Sequence, residues 1–205
     1  MKKLLHIIAS PREEASRTLK VSAAFLDEFK KKHPDCVIDE LNLYKEKLPT
    51  LTAKTVSGKY MLMSGKELDG ELKTAWNDIV KHIERFMSAD IYLISTPMWN
   101  FSAPYPLKQY IDIILQPRYL FRYTATGPEG LVKGKKMFVI TSRGGDYSSD
   151  EMKKFDHLEP YLRTAFGLTG LSDITFINAQ PMDKGADIQE QKVKEAIQKA
   201  RAAVI

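Results

Sequence analysis

The amino-acid sequence predicts an α/β fold built on a parallel sheet. Short apolar runs recur along the chain, and amphipathic segments of helical period separate them. Such an alternation implies parallel strands joined by right-handed crossovers, with helices on both faces of the sheet. The length of 205 residues suits a single domain, so we expect one domain over residues 1–205.

Five segments are predicted as strands. Most are apolar runs typical of strands buried on both faces of a parallel sheet. The second alternates in polarity, as expected of a half-buried strand near a sheet edge. In chain order, the predicted strands are residues 3–10, 36–44, 91–96, 135–142 and 173–180.

Five segments are predicted to contain helices because apolar residues recur in them at helical spacing. They are residues 17–33, 66–90, 104–115, 150–170 and 188–204. Residues 45–65 and 116–134 are predicted as two long irregular connections. His6 is expected in the core of the first strand, and His33, His82 and His157 at the surfaces of helices.

This pattern fits a flavodoxin-like, doubly wound sheet of strand order 2-1-3-4-5. Ligands bind such sheets at the carboxyl ends of strands 1, 3 and 4. The loops that follow Ser10, Thr96 and Thr141 are therefore the candidate site.

The first loop combines hydroxyl groups with a cation at the start of a helix. Ser16, Arg17 and Thr18 lie where the unpaired N–H groups and dipole of a helix N-terminus favour anions. The loop has neither a GxGxxG nor a GxxxxGK[ST] pattern, so it suits a single terminal phosphate. A helix cap formed by Ser16 or Thr18 is the alternative interpretation.

The other two loops carry aromatic rings and glycines. Residues 98–101 read Met-Trp-Asn-Phe, and ring surfaces with one amide suit a flat heteroaromatic ligand. Gly144 and Gly145 permit a close approach of the backbone or a positive φ, and successive N–H groups there can form an anion nest. Aromatic packing into the core and a plain turn are the alternatives.

Composition argues against several classes of function. The formal net charge is +5 and the cations are scattered, so no nucleic-acid surface is expected. No apolar stretch approaches transmembrane length, so no membrane role is expected. Cys36 is the one cysteine and no HExxH spacing occurs, so no metal site is expected. The expected compartment is the cytoplasm.

Several motifs together resemble one family. They are SPREEASRT (residues 10–18), PMWNFSAPYPLKQYID (97–112), FRYTATGPEGLVKGKK (121–136) and TSRGG (141–145). In order and spacing they are similar to the FMN-dependent NADH-azoreductases, which are flavodoxin-like NAD(P)H:quinone oxidoreductases. The resemblance covers nearly the whole chain.

The resemblance implies an enzyme that uses FMN, with NADH or NADPH as co-substrate. It would reduce quinones and azo compounds by ping-pong two-electron (hydride) transfer, and it would be a homodimer with the flavin site at the interface. The flavin would carry the chemistry, so no side chain is assigned as catalytic. The implied cofactor residues are Ser10, Ser16, Arg17 and Thr18 for the phosphate, Pro97, Met98, Trp99, Asn100 and Phe101 along the ring, and Ser142, Arg143, Gly144 and Gly145 at its pyrimidine end.

The implied substrate residues are Phe121 and Tyr123, with a buried plug that pins this loop to the core as the alternative. Residues 117–119 (Pro-Arg-Tyr) depart from the family pattern by adding bulk, which leaves the acceptor and the pocket size open. The choice between NADH and NADPH also stays open. A flavodoxin-type electron carrier is the main alternative function, followed by a phosphoester hydrolase and a structural interaction domain.

Overall fold

The computed structural model describes residues 2–204 and has a central parallel sheet. The strands are β1 (Lys3–Ile8), β2 (Val37–Asn42), β3 (Ile91–Pro97), β4 (Phe121–Thr124), β5 (Gly127–Gly130), β6 (Lys136–Ser142) and β7 (Asp173–Ala179). The central sheet has the order β2-β1-β3-β6-β7, and every neighbouring pair in it is parallel. The five predicted strands and their order are confirmed, with ends shifted by at most two residues.

The helices separate these strands. They are α1 (Arg17–Lys32), α2 (Ala53–Met63), α3 (Gly70–Met87), α4 (Tyr105–Ile114), α5 (Asp150–Lys153), α6 (Glu159–Leu168) and α7 (Ala186–Ala203), and a 3-10 turn (Glu13–Ala15) precedes α1. None of the helices within residues 2–204 has the length and apolarity that a bilayer crossing requires.

Successive residues of the central strands pack into two different apolar clusters. Leu4 of β1 lies in a cluster with Phe25 of α1, whereas its neighbour Leu5 lies in a second cluster with Ile79 of α3. This follows from the period of two along a strand, which sends adjacent side chains to opposite faces. Each face of the sheet therefore has its own apolar layer.

A pair of basic residues fixes the edge strand β2. Asp39 accepts hydrogen bonds from Arg85 of α3, at 2.6 and 3.2 Å, and it forms an ion pair of 2.8 Å with Lys3 of β1. The Arg85 guanidinium, together with Lys3, holds the pKa of the Asp39 carboxyl below its usual value. The edge strand is thus tied to both a helix and the neighbouring strand.

The prediction of an irregular connection over residues 45–65 is wrong, because α2 lies within it. Its start is a capping box, in which Thr52 and Thr55 satisfy each other's backbone N–H groups. The residues of α2 show little helical periodicity of polarity, which is why the pattern concealed it. Gly58 allows α2 to approach α3, since a Cβ there would lie 2.3 Å from the Trp76 Nε1.

The second connection, residues 116–134, is also more regular than predicted. Strands β4 and β5 pair in it as an antiparallel hairpin. A Cβ at Gly130 would lie 2.2 Å from the backbone of residues 169 and 170, so a glycine lets the hairpin pack against the end of α6. The single helix predicted within residues 150–170 is divided into α5 and α6.

The predicted positions of the histidines are correct in part. His6 is buried in β1, as predicted. The prediction of a surface position for His82 is wrong, because its side chain is only 9% exposed on α3 and its ring makes an edge contact with Tyr110. Burial lowers the pKa of His82. His157 is exposed, but it lies in the turn before α6 and not in a helix.

Candidate functional site

A cavity of about 180 Å³ opens at the carboxyl ends of β1, β3 and β6, where the sequence predicts the site. Most of the predicted cofactor residues line it. These are Ser10, Ser16, Arg17, Pro97, Met98, Trp99, Ser142, Arg143 and Gly144.

The start of α1 presents hydrogen-bond donors to this cavity. The Oγ atoms of Ser10 and Ser16 are 2.8 Å apart, and the Ser16 Oγ accepts a hydrogen bond from the Leu19 N–H at 3.2 Å. Ser16 therefore caps the helix, as the alternative interpretation states, and also lines the cavity, while its contact with a phosphate stays a prediction. Among the described residues, the N–H groups of Arg17 and Thr18 have no acceptor, as expected of a helix N-terminus.

Cations predominate around these donors. Arg12 and Arg17 both line the cavity, and the one carboxylate that lines it within residues 2–204 is Asp183. The Arg17 Nη1 and Asp183 Oδ1 atoms are 4.0 Å apart, and the Asp183 side chain is 76% exposed. Because water screens so exposed a carboxylate, the cavity keeps a positive character that suits an anion.

The third loop is held by the segment after β7. The Met182 N–H donates to the carbonyl oxygens of Arg143 and Gly144, at 2.9 and 3.0 Å, and the Asp183 N–H donates to that of Gly144 at 3.1 Å. A Cβ at Gly144 would lie 2.2 Å from the Asp183 Oδ2. Neither Gly144 nor Gly145 has a positive φ, so neither serves a left-handed turn, and the Cβ at Gly144 would meet only the exposed end of the Asp183 side chain.

The guanidinium of Arg143 is engaged inside the protein. Its Nη1 is 2.7 Å from the Asp156 Oδ2, its Nε donates to the Thr141 Oγ1 at 3.0 Å, and its Nη2 is 3.6 Å from the Glu159 Oε2. The Arg143 side chain is only 2% exposed. Its charge is therefore balanced by carboxylates, and the residue anchors the loop that lines the cavity.

Two predicted cofactor residues, Thr18 and Gly145, do not line the cavity. Thr18 is buried, and its Oγ1 lies 2.7 Å from the Ser142 Oγ, which links α1 to the end of β6. Gly145 lies one residue beyond the lining part of the third loop, beside the ring of Tyr147. Thr18 thus supports the cavity wall without forming it.

Asn100 and Phe101 also lie outside the lining. They are the central residues of a tight turn closed by two hydrogen bonds between Trp99 and Ser102, of 3.0 and 2.9 Å. Their φ values are 47° and 68°, a conformation that costs a bulky residue such as Phe about 1–3 kcal/mol. The turn leaves the Phe101 ring 48% exposed, with its centroid 6.0 Å from that of Phe155.

The two predicted substrate residues differ in their exposure to solvent. Phe121 is only 5% exposed, whereas Tyr123 is 64% exposed, and their rings meet edge to face at 5.6 Å. Neither lines the cavity. The burial of Phe121 agrees with the alternative interpretation of a plug, and a substrate-contacting role for Phe121 stays a prediction. Tyr123 keeps a ring available for contact.

Sequence reasoning missed Arg12, Met182 and Asp183, which also line the cavity. Arg12 lies within the predicted first loop, so its charge beside Ser10 was a usable signal. Met182 and Asp183 follow the fifth predicted strand, which the topology rule does not include in the site. No local pattern marks them.

Comparisons with known proteins agree with this geometry. A family model described as having a flavodoxin-like fold matches residues 2–204. A curated relative from Clostridium perfringens (strain SM101 / Type A), named FMN-dependent NADH:quinone oxidoreductase, is 43% identical over 202 residues, which cover 98% of this chain and 96% of the relative. The chain therefore belongs to the flavodoxin-like family that includes these FMN-dependent quinone oxidoreductases.

Solved structures of azoreductases are similar throughout the chain. An azoreductase from Bacillus anthracis str. Sterne has a TM-score of 0.91 at 28% identity, covering 100% of this chain and 99% of that one. An FMN-dependent NADH-azoreductase from Bacillus anthracis str. Ames Ancestor, solved in complex with FMN, has a TM-score of 0.87 at 30% identity and covers both chains completely. The family resemblance seen in the sequence motifs is thus confirmed.

Proposed function

We propose that this chain is an FMN-dependent NAD(P)H:quinone oxidoreductase that also reduces azo compounds. The observation that carries the proposal is the set of unpaired donors at the start of α1, which meets the ends of β3 and β6 around one cavity. A relative that covers 98% of the chain is named FMN-dependent NADH:quinone oxidoreductase, and a similar structure, named FMN-dependent NADH-azoreductase, holds FMN. NADH or NADPH is the proposed co-substrate.

The donors of the cavity fit the single phosphate of FMN. Ser10 and Ser16 offer hydroxyl groups, Arg12 and Arg17 offer charge, and the N–H groups of Arg17 and Thr18 await an acceptor. A phosphate at a helix N-terminus satisfies such groups together and is favoured by the helix dipole. We therefore assign the phosphate to these residues, with Thr18 contributing its backbone and its tie to Ser142.

The remaining lining residues suit the flavin ring. Met98 and Trp99 supply apolar surface at the end of β3, while Ser142 at the end of β6 and the nearby Gly144 form the facing part of the wall. When bound, the flavin supplies two-electron transfer between the nicotinamide and the acceptor. The chain's own residues bind and orient the flavin and exclude water from it. Asp183 is too exposed to serve as a buried proton donor, so no side chain is assigned an acid or base role.

We also propose that the enzyme is a homodimer with the flavin site at the interface. Support comes from three exposed rings: Trp99, which lines the cavity, its chain neighbour Phe101, and Phe155, whose centroid is 6.0 Å from that of Phe101. Exposed apolar patches often mark interaction surfaces. A solution mass of two chains is expected, and a monomer would contradict the proposal.

Three broader proposals accompany this assignment. The two apolar clusters support a doubly wound sheet, and the family match supports one FMN-binding domain over residues 1–205. The single cysteine and the nicotinamide co-substrate support the cytoplasm as the compartment.

The first test is the identity of the cofactor. We expect the purified protein to be yellow with flavin absorbance bands, and we expect heat to release FMN, which chromatography separates from FAD. The protein should also oxidise NADH or NADPH in the presence of a simple quinone. Release of FAD, or no flavin affinity, would contradict the proposal. Flavin binding without nicotinamide oxidation would favour an electron carrier.

A second test concerns Tyr123 as part of the substrate wall. Replacing Tyr123 by alanine should change the ratio of kcat/KM for a bulky quinone over a compact one, because loss of the exposed ring widens the space beside the acceptor. FMN occupancy should be retained. The matched control is Tyr60→Ala, which removes a comparably exposed ring that does not line the cavity. A ratio that is equal in all three proteins would assign Tyr123 to the scaffold.

A further inference from the structure

A continuous chain of buried polar groups runs beneath the first loop. The His6 Nε2 lies 2.7 Å from the Ser95 Oγ, and the Ser95 Oγ lies 2.6 Å from the Ser22 Oγ. The Ser22 hydroxyl donates to the Thr18 carbonyl oxygen at 3.0 Å. All of these residues are at most 3% exposed. The path crosses from β1 through β3 to the first turn of α1.

The same path continues to the cavity. The Thr18 carbonyl belongs to the peptide group whose N–H is that of Leu19. This N–H donates to the Ser16 Oγ at 3.2 Å, and the Ser16 Oγ lies 2.8 Å from the Ser10 Oγ. Ser10 and Ser16 line the cavity, whereas His6 does not. A buried histidine is thereby connected to the proposed phosphate site without touching it.

The direction of each hydrogen bond between His6 and Thr18 follows from counting hydrogens. A carbonyl oxygen only accepts, so the single hydroxyl hydrogen of Ser22 is used on Thr18. Ser22 must therefore accept from Ser95, and Ser95, having used its own hydrogen, must accept from His6. The His6 Nε2 consequently carries a hydrogen. This holds whether or not the His6 Nδ1, 4.0 Å from the Glu40 Oε1, is also protonated.

We propose that His6 is a positioning residue for the anion loop, because its Nε2–H begins a one-way chain of hydrogen bonds that ends at the Ser10 and Ser16 hydroxyls. This inference rests on the proposed function of the cavity as an FMN phosphate site. Every donor from His6 to the Leu19 N–H points toward the cavity, so each of these bonds polarises the next. In the final pair, the hydroxyl of either Ser10 or Ser16 can be the donor. Of the two hydroxyl hydrogens on Ser10 and Ser16, one joins the pair and the other is left to donate to a phosphate oxygen.

The test compares the affinities for FMN and riboflavin, which differ only by the phosphate. His6→Leu and Ser22→Ala each interrupt the chain, and they should weaken FMN binding by about three- to tenfold, the worth of roughly one net hydrogen bond. Riboflavin binding should stay within about twofold, since the ring surfaces are unchanged. His6→Gln, which can place an N–H near the position of Nε2, should restore the FMN affinity.

The matched control is His82→Leu, which removes another buried histidine that does not line the cavity. It should leave the ratio of FMN to riboflavin affinity unchanged. If His6→Leu does not fold, the ratio of FMN to riboflavin affinity in Ser22→Ala decides the test, because this variant keeps the His6 imidazole and removes one hydroxyl. Inorganic phosphate as a competitor of FMN gives the same comparison for the phosphate site alone.

The outcomes separate the inference from the function on which it rests. A fall of the affinity ratio in both chain variants, with recovery in His6→Gln, supports the inference. An unchanged ratio, or an equal loss for FMN and riboflavin, overturns it while the proposed function stands. A wild-type protein that binds no FMN would overturn both.

Discussion

Replacement of Arg17 by alanine is expected to weaken FMN binding by about 10- to 100-fold and to leave riboflavin binding almost unchanged. A hydrogen bond to a charged group contributes roughly 1.5–3 kcal/mol, and each 1.4 kcal/mol is about a factor of ten. Arg17 is the first residue of α1, and it combines a cation with an N–H that lacks an acceptor among the described residues. Because alanine keeps the backbone N–H, the loss of FMN affinity measures the contribution of the Arg17 side chain alone.

The matched control for Arg17→Ala is Lys20→Ala. Lys20 is an exposed cation on the same helix and does not line the cavity. Its removal changes the net charge equally but should change FMN affinity by less than about twofold, because bulk salt screens distant surface charges. Flavin fluorescence titrations at one fixed ionic strength measure both. Equal losses in the two variants would mean that the overall field, and not a contact of Arg17, attracts the cofactor.

Replacement of Asp183 by asparagine is the counterpart of Arg17→Ala and should act in the opposite direction. The Asp183 carboxylate lies 4.0 Å from the Arg17 Nη1 and would compete with a phosphate for it. Because the side chain is largely exposed, the gain in FMN affinity should be modest, about two- to fivefold. A weaker affinity would instead show that the carboxylate holds the loop after β7 in place.

The sequence predicted the sheet well because strand burial leaves a local mark. Apolar runs such as residues 91–96 are readable without any knowledge of their neighbours, and the order of strands follows from connection rules. The two long connections between strands were harder to predict. Helix α2 shows weak periodicity and depends on Gly58 meeting Trp76, which is a tertiary contact that no local pattern displays.

The candidate site was predicted in position more accurately than in detail. Each of the three loops lies at the cavity, because the topology of the sheet dictates that edge. The residues that failed to line it are governed by local geometry. Asn100 and Phe101 occupy a tight turn, and Thr18 turns its hydroxyl to Ser142. Asp183 was missed because it reaches the cavity only through the backbone bonds of the third loop.

Replacement of Asp156 by alanine is expected to destabilise the fold strongly. Asp156 is buried, and its Oδ2 is 2.7 Å from the Nη1 of Arg143, which is itself almost inaccessible to water. Its Oδ1 also accepts hydrogen bonds from the backbone N–H groups of Leu158 and Glu159, both at 3.0 Å, and so satisfies donors at the start of α6. Removing one partner of a buried pair leaves an uncompensated charge, which costs about 3–5 kcal/mol. The Glu159 carboxylate, 3.6 Å from Arg143, should keep the loss near the lower end.

Chemical denaturation of the protein without flavin measures this loss directly as the change in the free energy of unfolding. Asp156→Asn keeps an oxygen that can cap α6 but removes the charge, so most of the loss should remain if the ion pair dominates. The control is Asp150→Ala, which removes the acidic partner of an exposed pair with Lys153 and should change the free energy of unfolding by less than about 1 kcal/mol. FMN affinity should also fall in Asp156→Ala, because Arg143 anchors the loop that carries Gly144. A loss of unfolding free energy no larger than that of the control would mean that Glu159 alone suffices to balance the buried guanidinium.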